Sequence, residues 1–123
     1  MYYIFPKGTF VVALRRYQRF YDDPLAVKAG EAVITLGGKE TDIEGWSWCR
    51  GADGREGWVP DSWLAEKDGG QIALRDYNAL ELSVVPGDRL ELLFSEGGYL
   101  FCRNPDGKTG WLPDGIMRLD TLM

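Results

Sequence analysis

Two cysteines sit in stretches that answer one another, "GWSWCRGADGREGWVP" from Gly45 and "GYLFCRNPDGKTGWLP" from Gly98. A thiolate can ligate a metal, exchange electrons or attack a carbonyl, and each of these needs company. A cysteine-ligated metal wants further Cys or His at ligand spacing, and a nucleophile wants an adjacent base. The chain has only Cys49 and Cys102 and no His at all, with no thiolate activator beside either. A disulfide between them would need Cα atoms within about 7 Å, which cysteines inside separate fold units do not reach. Cys also serves as a small buried hydrophobe, and one fold unit used twice would place it twice. The carboxylates are scattered through loops, and no glycine-rich phosphate loop is present. The expectation is a protein that is not an enzyme, without cofactor or metal, whose cysteines are packing.

The repetition extends beyond the cysteines. "ALRRY" at Ala13 to Tyr17 returns as "ALRDY" at Ala73 to Tyr77, and "LAVKAGEAV" from Leu25 returns as "LSVVPGDRL" from Leu82. Trp46, Cys49, Asp53, Gly54, Trp58 and Pro60 are answered in order by Tyr99, Cys102, Asp106, Gly107, Trp111 and Pro113. A repeat in constant order signals one structural unit made twice. The copies place domains at 10–64 and 72–119, with "AEKDGGQ" reading as a short charged linker over 65–71.

Within each copy the hydrophobic pattern has period two. Leu90, Leu92 and Phe94 alternate with their neighbours, as do Tyr99 and Phe101, which reads as half-buried strands. Asp53-Gly54 and Asp106-Gly107 are tight-hairpin signals. With 16 Gly, 5 Trp and no long helical pattern in 123 residues, the chain reads as all-β and turn-rich. Short strands at this spacing suggest small antiparallel barrels.

These blocks in this order resemble the Src-homology-3 (SH3) domain family, and the two copies cover nearly the whole chain. The family pattern is an Ala-Leu-x-x-Tyr strand, a long acidic loop and Leu-Ser-Phe-x-x-Gly-Asp/Glu. An aromatic-led strand with a small residue follows, then Gly-aromatic-aliphatic-Pro-x-x-aromatic. "LELSVVPGDRL" and "GWVPDSWL" are the nearest matches. The resemblance implies two small five-stranded SH3-like barrels in tandem. Cys49 and Cys102 fall where the family has its small buried residue.

The resemblance further implies a ridge of aromatics and one proline that holds an extended, proline-containing peptide, beside an acidic loop that pairs with a basic residue. Carried over by position, the first copy supplies Tyr17, Trp46, Pro60 and Trp63, with Asp22 and Asp23 on the acidic loop. The loop before Trp46 adds Glu40, Asp42 and Glu44. One departure is Arg15, which stands where the family has another aromatic; Phe20 and Tyr21 are candidate substitutes. The second copy has a shorter loop with only Glu81, Arg75 for the aromatic, Tyr99 for Trp and Ile116 for the last aromatic. It reads as the more divergent copy. The competing reading for every one of these aromatics is core packing, since Trp and Tyr dominate small cores.

The expected function is a protein-interaction module whose first copy binds a basic or proline-rich segment of a protein or peptide. Alternatives are an aromatic cage for a methylated amine or quaternary ammonium group, and bacterial cell-wall recognition. A net charge of -5 argues against nucleic acid as a partner. No apolar run reaches membrane-span length, so no membrane partner is expected. The start "MYYIFPKGTFVV" lacks the pattern of a secretory signal. A cytoplasmic location is the resulting expectation.

Overall fold

The computed structural model describes residues 2–36 and 44–120. Glu40 and Asp42 therefore lie outside the described residues. The fold is all-β. In chain order the strands are β1 (Tyr3–Ile4), β2 (Phe10–Ala13), β3 (Ala26–Val27), β4 (Ala32–Thr35), β5 (Trp46–Gly51), β6 (Glu56–Pro60), β7 (Leu64–Lys67), β8 (Gly70–Ala73), β9 (Tyr77–Asn78), β10 (Arg89–Glu96), β11 (Tyr99–Arg103), β12 (Thr109–Pro113) and β13 (Met117–Leu119). Single 3-10 turns at Asp61–Trp63 and Asp114–Ile116 are the only helical pieces among the described residues. None is long and apolar enough to cross a membrane.

The chain forms two compact units, and they do not divide where the sequence copies do. One, the split unit, joins the residues up to Phe20 to those from Glu81 on; the other, the inserted unit, is Tyr21–Leu80. In the split unit the strand order is β12–β11–β10–β2–β13, with β1 added on β10. In the inserted unit it is β6–β5–β4–β8–β7, beside a two-stranded β3–β9 ribbon. The two orders correspond element for element. Among the described residues neither five-strand path closes on itself.

The correspondence shows an exchange. In the split unit β2 pairs antiparallel with β10 (Arg89 opposite Val12) and β13 (Met117 opposite Ala13). In the inserted unit β8 takes that position, with Ala32 opposite Ile72 and Leu64 opposite Ala73. The Ala-Leu-Arg strand of each copy thus completes the sheet of the other.

The reason lies in residues 65–71, which the sequence reading makes a linker. They are the end of β7, a tight turn and the start of β8, with Lys67 opposite Gly70. Asp68 and Gly69 have φ of 52° and 82°, the consecutive left-handed pair that a two-residue hairpin turn requires. A local hairpin closes at little entropic cost, so it places β8 beside β7 and leaves β2 for the split unit. The expected boundaries at 10–64 and 72–119 describe the repeat and not the compact units.

Burial follows the strand period. Val11 and Ala13 face inward from β2, and Leu90 and Leu92 from β10; they pack with Leu112 and Cys102 in the split unit. The ladder shifts register between Leu92 and Phe94, which interrupts that alternation. In the inserted unit Leu25, Val33, Cys49 and Val59 are buried. Gly57 shows how tightly that unit is closed. A Cβ there would lie 2.8 Å from the Ala79 Cβ and 3.3 Å from the Leu25 Cβ. Both Asp-Gly turns form as expected, with Gly54 and Gly107 at φ 89° and 85°.

Both cysteines are fully buried free thiols. Burial pushes the Cys102 thiol up to about 12 and raises the Cys49 thiol as well. A thiol held protonated packs as a small apolar group.

Candidate functional site

The six residues that the sequence reading gathers on one surface are divided between the two compact units. Tyr17 belongs to the split unit; Asp22, Asp23, Trp46, Pro60 and Trp63 belong to the inserted unit.

In the split unit Tyr17 follows β2 and is fixed by a reciprocal pair of 2.9 Å backbone hydrogen bonds with Val84. Its hydroxyl donates to Glu81 Oε2 at 2.6 Å. Burial raises the Glu81 carboxyl above the usual carboxylate range, and hydrogen bonds from the Tyr17 hydroxyl and the Phe20 backbone oppose that shift. Phe20 stands 76% exposed, its ring edge-on to Tyr17 with centroids 6.1 Å apart. Tyr99 is half-buried opposite Pro113 in the ladder. Burial, then the negative charges of Glu81 and Asp114, raise its hydroxyl pKa, which places both carboxylates within electrostatic reach of that ring. The resulting set has two tyrosines, an exposed phenylalanine, a proline and two carboxylates.

In the inserted unit Tyr77 holds the position that Tyr17 holds in the split unit, opposite Val27. Its hydroxyl donates to the Trp58 carbonyl at 2.5 Å. Trp63, expected on an exposed ridge, is buried and packs edge-on against Tyr77 at 5.3 Å. The Arg75 guanidinium lies over the Trp63 ring, 4.7 Å from its centroid, a cation–π contact. Pro60 is buried as well, and Trp46, opposite it in the ladder, is half-buried. The arginine that replaces an aromatic in the second copy therefore covers the buried tryptophan of the first. Tyr21, Trp48 and Trp58 form a second aromatic row, with centroid separations of 5.4 and 5.2 Å.

Asp22 and Asp23 are exposed. Asp23 pairs with Arg55 at 2.8 Å, and Arg55 also holds Asp53 at 2.8 Å. The Arg55 hydrogen bonds draw the Asp53 carboxyl below its ordinary value. Asp23 is thus engaged across the hairpin turn, while Glu81 carries the carboxylate set against the split unit's aromatics.

Two features of these sites escaped the sequence reading. One is the packing of Tyr77 against Trp63 of the other copy, signalled by the return of the five-residue block with one substitution and by the Asp68-Gly69 pair ahead of it. The other is the pairing of Glu81 with Tyr17, which no local signal could reveal, because the two residues come from different copies.

Residues 10–67 match the family described as the variant SH3 domain. The match spans the first sequence copy, so its opening residues, 10–20, lie in the split unit and the rest in the inserted unit. No curated protein matches the chain at a significant level.

Proposed function

Starting from the likeness of residues 10–67 to an SH3 domain, an interaction module in general, we propose that the protein is a non-catalytic adaptor of two SH3-like barrels. Each barrel is completed by the Ala-Leu-Arg-x-Tyr segment of the other copy. Its ligand is an extended peptide segment that carries a basic residue, and proline residues where the ridge receives them.

The observation that carries this reading is the Tyr17–Glu81 pair beside the open face of Phe20. An exposed aromatic next to a partly desolvated carboxylate attracts a Lys or Arg both by charge and by the ring face. Tyr99, Pro113 and Asp114 extend the same surface. On the inserted unit the half-buried Trp46 is the exposed remnant of the expected ridge, and Asp23 is held by Arg55 at the far, turn end of the same hairpin. Its Trp63 and Pro60 act as buried supports there.

The test is calorimetry on the full chain with short Pro-containing peptides that bear one Arg, one Lys, or neither. Phe20→Ala and Glu81→Gln are each expected to weaken binding of the basic peptides about tenfold or more, roughly 1.4 kcal/mol. Trp46→Ala would then change it little. Loss of binding in Trp46→Ala alone would move the site to the inserted unit. Binding of tetramethylammonium in place of every peptide would favour the aromatic-cage alternative.

A further inference from the structure

The place that precedes β2 in the split unit differs from the place that precedes β8 in the inserted unit. In the split unit the chain's own N-terminal segment occupies it. β1 pairs with β10 at Ser95 and Phe94, the Phe5 N–H donates to the Leu93 carbonyl at 3.0 Å, and the Leu92 N–H donates to the Thr9 carbonyl at 2.8 Å. Phe5 and Leu100 pack against the cluster that contains Val11, Leu92 and Met117. The place takes an extended segment and is apolar.

In the inserted unit, strand register puts Gln71, Thr35, Ser47 and Leu64 where the split unit has Val11, Leu92, Leu100 and Met117. These four, with Asp61 and Glu66, line an open groove of about 520 Å³. No counterpart of residues 3–5 leads into β8, because Gly70 follows directly from the β7–β8 turn. Three apolar residues have become Gln, Thr and Ser. The Thr35 hydroxyl hydrogen-bonds the Gln71 side chain, and the Ser47 hydroxyl donates to Asp61 Oδ1 at 2.5 Å. No basic side chain lines the groove among the described residues. Over the whole inserted unit twelve acidic residues stand against six basic ones, while the split unit has seven against eight.

We propose that this groove is a docking site for an extended, basic segment of a partner protein, laid where the split unit seats Phe5 of its own N-terminal segment. The shape follows from the split unit, where the segment from Phe5 to Thr9 runs along Leu92 and Leu93, the counterparts of Thr35 and Leu36. The chemistry follows from the substitutions: a Lys or Arg takes the position of Phe5, its aliphatic stem over Leu64 and Ala65 and its charged end at Asp61 and Glu66. The groove shares no residue with the Tyr17–Glu81 surface, so either can stand without the other.

The experiment is amide shift mapping on the full-length protein with three eight-residue peptides. One alternates Lys and Thr, one alternates Glu and Thr, and one copies residues 2–9, "YYIFPKGT". The Lys-Thr peptide is expected to shift the amides of Thr35, Ser47, Gly70 and Gln71, and to bind about tenfold more weakly to Glu66→Gln, whose exposed position leaves folding intact. A Thr35→Leu, Ser47→Leu, Gln71→Val variant should exchange its preference for the copy of residues 2–9. Should that variant fail to fold, the wild-type map and Glu66→Gln decide alone. Equal binding of the Glu-Thr peptide overturns the proposal. So does the absence of shifts at millimolar Lys-Thr peptide, or a response confined to Tyr17, Phe20 and Glu81. That last outcome would leave the aromatic surface as the basic-peptide site and remove this one.

Discussion

The Ala13 N–H donates to the carbonyl of Asp88 at 2.9 Å. Within Ala13's own sequence copy the counterpart of Asp88 is Glu31, and that carbonyl accepts instead from the Ala73 N–H, also at 2.9 Å. The same crossing recurs at the next residue, where Leu14 donates to Ile116 and Leu74 to Trp63, at 2.7 and 2.8 Å. The two strand slots are equivalent, and each is filled from the other copy.

Gly57 gives a direct test of that crossing. Gly57→Ala should destabilise the protein by about 1–3 kcal/mol, because the new methyl overlaps the Ala79 Cβ in a packed interior. Ala79→Gly should restore most of the loss, and thermal melts of the two single variants and the double variant measure the coupling. If each copy used its own segment, Arg19 would stand in the place of Ala79 and the second substitution would rescue nothing.

Fragments should divide by unit and not by copy. Residues 21–80 contain every strand of the inserted unit and are expected to unfold cooperatively on their own, near the lower size limit for a domain. Residues 10–67, the span that matches the family, lack β8 and Tyr77 and should show no cooperative transition. Circular dichroism and Trp fluorescence during heating provide the readout. A cooperative 10–67 fragment beside an unfolded 21–80 would refute the exchange.

Glu81 links stability to pH. Its folded-state pKa is raised by burial, so folding favours the protonated form. The stability it contributes is complete below the unfolded-state pKa and is lost as pH rises through the folded value. Glu81→Gln has no charge to desolvate, and its amide oxygen can still accept from Tyr17. The variant should therefore melt above wild type near pH 7, with the difference closing below about pH 4. A constant difference across that range would show that ionisation of Glu81 is not its source. Greater stability with weaker peptide binding is the trade expected of a functional carboxylate.

The thiols should be inert while the protein is folded. Cys49 and Cys102 are fully buried with raised pKa values, so a thiol reagent near pH 8 is expected to label them only on unfolding. Cys→Ala at either position should cost about 1–2 kcal/mol, the removal of one small buried group. Fast stoichiometric labelling of native protein would contradict the packing role.

Much of the fold was legible along the chain because its signals are local. Period-two hydrophobicity marked β10 and β11, Asp-Gly pairs marked the turns after β5 and β11, and the repeated blocks marked two equivalent sheets with a buried cysteine in each. The Asp68-Gly69 hairpin was as visible as the other two, but its position between the copies made it resemble a linker. The site was less legible. Trp46 and Trp63 carry the same residue type, and only packing made one half-buried and the other a support beneath Arg75. Sequence determined which segments become strands, since propensity and turn geometry act over a few residues. It could not determine which of two strands in equivalent places of the repeat, β2 or β8, enters which sheet. That choice rests on the tight β7–β8 turn and on side-chain matches across strands, Val11 with Leu92 and Gln71 with Thr35, which exist only once the chain has folded.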